Sequence, residues 1–325
     1  MKKFFIKVFI LSILLVVGIW IVMLIPLPEI SYDLAIIDKN RILANTRSPK
    51  MALAGGSNLA FGIDSVEIQD RFNIPVVNMG VHGGFGLGRI LGDISPFLYT
   101  GDVLLIIPEY DHFTSEWNGN EVAYELIFDA KQYRLLWSSY YGLPSRFSDY
   151  LSMCLDIGFG IIRNVPKNII EKIIKQNEKA KEETMTDPLA YSRNGFNQYG
   201  DYVKHLGVEN QLFVSSGNLG NINMAYLKNF FRFIDSFTKR GITVMLSYPS
   251  YEKQSFRNSA ALIQELDMLF RTKENLLVIS TPEFYCYPAE YFYDTPYHLN
   301  MEGRAVRTSQ LIHDLQASGH PFQAP

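Results

Sequence analysis

Residues 51–58 read Met-Ala-Leu-Ala-Gly-Gly-Ser-Asn, an apolar run that stops at a turn of small residues carrying a serine. The run has no polar alternation, which is the pattern of a strand buried on both faces. Four further segments repeat it: Pro75–Met79 (PVVNM), Asp102–Ile107 (DVLLII), Ile242–Tyr248 (ITVMLSY) and Leu276–Ile279 (LLVI). Between and after them, helical spacing of apolar residues predicts helices over about 62–72, 87–98, 222–239, 256–270 and 302–315. Continuous apolar strands alternating with helices predict an α/β domain with a parallel sheet of about five strands covered on both faces. Such sheets bind ligands at the carboxyl ends of their strands. Ser57, the Gly-rich turn at 80–86 and the segment after Pro108 all follow strands, and the loop carrying Asp294 and His298 reaches the same edge.

Working outward, the N-terminus is the most distinctive region. From Val8 to Pro26 the chain is uncharged, with Ser12 its only mildly polar side chain, while Lys2, Lys3 and Lys7 precede it and Glu29 and Asp33 follow it. A helix over this stretch spans roughly 28 Å, the hydrocarbon thickness of a bilayer. The basic flank keeps the N-terminus cytoplasmic and sends the rest across. The reading is therefore an uncleaved anchor at 1–27, a polar, partly extended connector at 28–48, and an α/β domain over 49–325. The expected location is the plasma (inner) membrane, single-pass, with the domain extracytoplasmic. A helical and loop insertion is expected over about 112–220, including a charged helical stretch at Ile169–Glu183. It either covers the site or is a plain excursion. Its aromatics (Trp117, Tyr124, Tyr133, Trp137, Tyr140, Tyr141) either stack on sugar rings or form its core.

The formal net charge of −3 in 325 residues, with no dense basic cluster in the body, argues against a nucleic-acid partner. Cys154 and Cys286 show no metal-type spacing and fit either one disulfide or two free thiols. No metal site and no cofactor are expected.

Ser57 stands on a turn at a strand end, and Asp294 and His298 lie four residues apart before the last helix. A serine hydroxyl needs a base within hydrogen-bond reach and a carboxylate to orient that base. Ser57 as nucleophile, His298 as base and Asp294 as its orienting carboxylate supply one set. His82, in the Gly-rich turn, is a candidate substrate contact, and Asp111-His112 a weaker second acid/base pair.

In order and type these segments resemble the SGNH/GDSL hydrolase superfamily over roughly 50–110 and 220–315. The first block reads Gly55-Gly56-Ser57, followed by the similar Gly62-Ile63-Asp64-Ser65. The second is Asn78-Met79-Gly80-Val81-His82-Gly83-Gly84, and the last runs from Asp294 to His298, Leu299, Asn300 and Gly303. The resemblance implies a flavodoxin-like three-layer α/β/α sandwich, acyl chemistry on an ester, and Gly83 as a backbone oxyanion donor beside Ser57. Two blocks depart from the pattern. Gly56 replaces the usual acidic residue, and Pro108-Glu109-Tyr110-Asp111 stands where Gly-x-Asn-Asp is usual. Asn58, Glu109 or Tyr110 then helps in place of the missing Asn, or the hole has two backbone donors only. The anchored topology is similar to a cell-envelope branch that includes alginate O-acetylation and teichoic acid D-alanylation proteins. That branch implies acyl transfer to, or removal from, a surface polysaccharide beside a multi-pass membrane acyltransferase. A stand-alone esterase or lipase, and a non-catalytic glycan-binding or scaffold member, are the alternatives.

Overall fold

The computed structural model describes residues 2–23, 31–117, 119, 191–211 and 213–322. Helix α1 (Lys2–Met23) comes first, with apolar side chains such as Phe4, Phe9, Leu11 and Leu14 exposed. Among the described residues no helix is both long and apolar enough to cross a membrane. The folded body begins at Ser31 and carries, in order, α2 (Ala35–Asn45), β1 (Met51–Gly55), α3 (Ser57–Gly62), α4 (Ser65–Phe72) and β2 (Val76–Asn78). Next are α5 (Leu87–Ile94), β3 (Val103–Ile107), α6 (Met224–Lys239), β4 (Thr243–Leu246), β5 (Tyr251–Glu252), α7 (Lys253–Asn258) and α8 (Ala260–Arg271). Strands β6 (Leu277–Val278) and β7 (Cys286–Tyr287) and helix α9 (Met301–Ala317) complete it.

Five strands form one parallel sheet in the order β2-β1-β3-β4-β6. The order reverses between β1 and β3, the place where doubly wound sheets open a ligand crevice. Successive side chains of a strand point to opposite faces, and here each face has its own core. Ala52, Ala54, Leu104, Ile106, Val244 and Leu246 pack on one side with α2, α5 and α6. Met51, Leu53, Val103, Leu105, Ile107 and Met245 pack on the other with Leu59, Ile68 of α4 and Leu311 and Leu315 of α9. The arrangement is consistent with a three-layer sandwich. It explains why these strands read as unbroken apolar runs.

All five strands lie where the sequence placed them; four details differ. The stretch expected as a connector is helical at α2 and part of the core. Its Leu43 is fully buried and its Lys39 amine, also buried, bonds the carbonyls of Gly80 and Gly200. The helix expected over 62–72 starts at Ser65, because Asp64 accepts from the N–H groups of Val66 and Glu67 and caps it there, and a separate short helix, α3, ends at Gly62. The stretch expected as a helix over 256–270 likewise begins earlier and breaks at Ser259, between α7 and α8. Two-residue strands β5 and β7 add a small parallel pair, too short for a periodicity to reveal.

Of the expected insertion, both described ends belong to the body. Trp117 is fully buried, stacked on Tyr226, which places it in the core. Asp201, also fully buried, accepts from Ser65 N and Oγ and Asn78 Nδ2. The helical stretch at 169–183, Cys154, and the aromatics Tyr124, Tyr133, Trp137, Tyr140 and Tyr141 lie outside the described residues.

Candidate active site

The register of the central strands brings the first group together. Gly55 pairs with Ile107 across β1 and β3, so two residues further on, Ser57 and Glu109 emerge side by side at the carboxyl edge. Ser57 is the first residue of α3, with Gly56 as its extended N-cap. Its Oγ donates to Glu109 Oε1 at 3.2 Å. The same carboxylate oxygen accepts from Asn58 N at 3.0 Å and from Asn58 Nδ2 at 3.3 Å. Glu109 thus receives the serine hydroxyl and the N-terminal turn of α3 together.

Gly56 and Gly83 flank that carboxylate closely. A Cβ at Gly56 would overlap the Glu109 carboxylate and lie 2.8 Å from Gly83 Cα, and a Cβ at Gly83 would overlap Glu109 Oε2. Only glycine lets the two backbones and the carboxylate meet in this space. His112 fixes the approach. Its Nδ1 accepts from Glu109 N at 3.1 Å, so its Nε2 carries the proton and donates to Gly83 O at 3.0 Å. Among the described residues the N–H groups of Ser57 and Gly83 donate no hydrogen bond. Two free donors therefore border the carboxylate.

The second group is the Asp294–His298 pair. His298 Nδ1 is 2.8 Å from Asp294 Oδ1, and His298 N is held by Thr295. The His298 ring stacks on Phe61 at 4.1 Å with 8° between planes. Phe61 follows Ser57 by one turn of α3, so the helix that presents the serine also carries the platform for the imidazole. Burial opposes charge on Asp294, but the hydrogen bond and charge of His298, with donation from Tyr191, outweigh it and hold the carboxyl below its ordinary value. Ser57 Oγ and His298 share no hydrogen bond; the serine hydroxyl is turned to Glu109.

Other predicted residues are placed differently. Tyr110 is buried and edge-on to Tyr251, and shares no hydrogen bond with Ser57. His82 is half-buried and its Nδ1 accepts from Gly84 N at 2.9 Å, shaping the loop that carries Gly83. Asp111 and His112 share no side-chain hydrogen bond, although the His112 ring lies close enough to favour charge on Asp111. Asp111 accepts from Tyr297 at 3.0 Å, and burial, followed by the Glu109 charge, pushes its carboxyl above the usual range. Asn78 of the second block is structural: its amide donates to Leu59 O and Asp201. Asp64 and Ser65 of the repeated Gly-x-Asp-Ser likewise cap and anchor α4.

Two neighbours of the pair were not foreseen. Tyr191 Oη donates to Asp294 Oδ2 and stands 3.1 Å from His298 Nδ1. His205 is buried behind Phe61, 4.7 Å ring to ring, with Nε2 on Leu299 O at 3.0 Å; burial drives its pKa down to about 4. Tyr191 and Asp294 are more than a hundred residues apart in the chain, and an aromatic among many gives no local signal. Among the described residues no group of three or more His, Cys, Asp or Glu is arranged to hold a metal. No known family model matches the chain, and no curated protein is similar to it.

Proposed function

We propose that the protein is a serine hydrolase or acyltransferase of SGNH type, anchored in the plasma (inner) membrane by its N-terminal segment, with the folded domain on the extracytoplasmic side. The observation that carries this reading is the shared scaffold of the three residues: Ser57 opens α3, and Phe61 of the same helix stacks on His298, which Asp294 orients. Ser57 attacks an ester carbonyl and forms the acyl-enzyme. His298 takes the serine proton and returns it to the leaving alcohol, and Asp294 fixes the tautomer with the proton on Nδ1. The Ser57 and Gly83 N–H groups receive the charge on the tetrahedral oxygen; one such donor is worth about 2.7–4 kcal/mol of barrier. Water or a sugar hydroxyl then accepts the acyl group. An acylated surface polysaccharide is the substrate class, and a multi-pass membrane acyltransferase is the partner for transfer. No cofactor is required by this chemistry.

The Ser57–Glu109 bond favours a second reading, a glycan-binding or scaffold protein in which the serine is a structural donor. The test is a serine-directed phosphonate applied to the full chain in detergent micelles, followed by peptide mapping. One adduct, on Ser57 and absent from His298→Ala, supports the enzyme. A folded chain with no adduct supports the binding protein.

A further inference from the structure

The Asp294–His298 pair has a third member that no part of the proposed reaction requires. Tyr191 Oη donates to Asp294 Oδ2, while His298 Nδ1 faces Asp294 Oδ1 at 2.8 Å, so each carboxylate oxygen has its own donor. The same Oη, 3.1 Å from His298 Nδ1, shares that N–H as a second acceptor. Tyr191 is itself held from outside the site. Its ring meets Tyr32 edge-on at 5.2 Å and Phe61 at 5.4 Å. The next residue, Ser192, forms an antiparallel bridge with Ser31. One further on, Arg193 grips Asp38 of α2 through Nε at 2.5 Å and Nη2 at 2.8 Å, a bidentate geometry that fixes direction as well as distance. The segment at 31–38, which follows α1, is thus fastened to 191–193.

We propose that Tyr191 is a positioning residue for the Asp294–His298 pair, held in place by this strap, so that the segment following α1 sets the proton affinity of the candidate base. The inference rests on the serine-hydrolase reading for its importance but not for its test. A hydroxyl donated to Asp294 reduces the negative charge that the carboxylate presents to His298. The same oxygen, as a second acceptor of the Nδ1–H, favours the protonated ring, so removing the hydroxyl changes the proton affinity of His298 by the difference of two opposed contacts. Among the described residues, the other titratable groups around the pair and Tyr191 are Tyr32 from the 31–38 segment, Tyr202 and His205 from the 191–205 segment, Tyr293 from the pair's own loop, and Arg304 of α9 near His205. Tyr191→Phe leaves all of them in place.

The experiment follows the imidazole signals of the full chain, labelled at histidine and held in micelles, by NMR titration, with His298→Gln to assign the resonance. Tyr191→Phe moves the His298 midpoint by about half a unit, roughly three-fold in proton affinity, and alters its Nδ1–H signal. Arg193→Met, which touches neither member of the pair, moves it in the same direction and adds nothing on top of Tyr191→Phe. An unmoved midpoint in Tyr191→Phe refutes the positioning role; an unmoved midpoint in Arg193→Met refutes the strap. If Arg193→Met does not fold, Asp38→Asn reports on the same ion pair from its other end. The signal titrates whether or not Ser57 reacts. A shifted midpoint with no phosphonate adduct would therefore sustain this inference while overturning the enzyme.

Discussion

The Glu109 carboxylate is the group most opposed to the proposed chemistry, and replacing it by the neutral amide should increase reactivity at Ser57. Ser57 Oγ lies 3.2 Å from Glu109 Oε1, and the carboxylate is wedged between Gly56 and Gly83. An oxyanion on a carbon bonded to that Oγ forms within ~4 Å of the carboxylate, where two like charges repel by about 4 kcal/mol at an effective dielectric of ~20. That is roughly a thousand-fold in rate. Glu109→Gln has the same shape, keeps one oxygen to accept from Asn58 N, and offers an N–H where negative charge develops. The assay is the second-order rate of phosphonate labelling at Ser57, read by intact mass, with thermal unfolding as the check on fold. The expected result is faster labelling by two to three orders of magnitude. Equal or slower labelling in a folded Glu109→Gln would refute the reasoning and show that the carboxylate assists Ser57, for example by orienting its hydroxyl.

Four further outcomes follow from the same geometry. Ser57→Ala abolishes labelling and turnover, while its unfolding midpoint in denaturant corresponds to a loss of ~1 kcal/mol or less, since one partly buried hydrogen bond is removed. Gly83→Ala forces a methyl into Glu109 Oε2; calorimetry should show a loss of about 1–3 kcal/mol from overpacking, and unchanged stability would mean the loop is free to move. His205 has its folded pKa lowered to about 4, below the unfolded value of ~6.5, so the stability it contributes is full above pH ~6.5 and declines by up to about 3 kcal/mol as pH falls to ~4. His205→Gln, which keeps a donor for Leu299 O, should flatten the thermal-unfolding profile across that window. Asp294, held below its ordinary pKa, contributes stability that is complete above pH ~3.9 and lost as pH falls through its folded value. Asp294→Asn should remove that more acidic limb and, by taking away a charge that favours the protonated His205, move the His205 window to lower pH.

The sheet was legible because β1 to β4 each feed two cores, which removes polar residues from them and leaves unbroken apolar runs. The relation of Ser57 to Glu109 was legible in part. Both follow strands, but their pairing depends on the β1–β3 register, which no local pattern encodes. The Asp294–His298 contact was readable from their spacing within one loop. Tyr191 and His205 were not readable, since both arrive from a segment far along the chain that is held by tertiary contacts rather than by periodicity. Helix α2 was missed for a different reason. Its Lys39 reads as a solvent-facing charge, whereas it is buried on two backbone carbonyls and a face of Phe196. Burial, only partly offset by the Asp201 charge, drives its pKa down to about 7.

Because the folded body starts at Ser31, only eight chain steps separate it from the end of α1 at Met23. Eight steps span at most about 28 Å whatever path they take. On the proposed anchoring, that length is a leash. It gives the domain a working distance from the bilayer of less than its own diameter. A polymer chain would have to be met at its membrane-proximal end, as it emerges, and residues already carried outward would be beyond reach. Lengthening the leash with inserted glycine and serine between Met23 and Ser31 would then extend the zone of modification without altering the site.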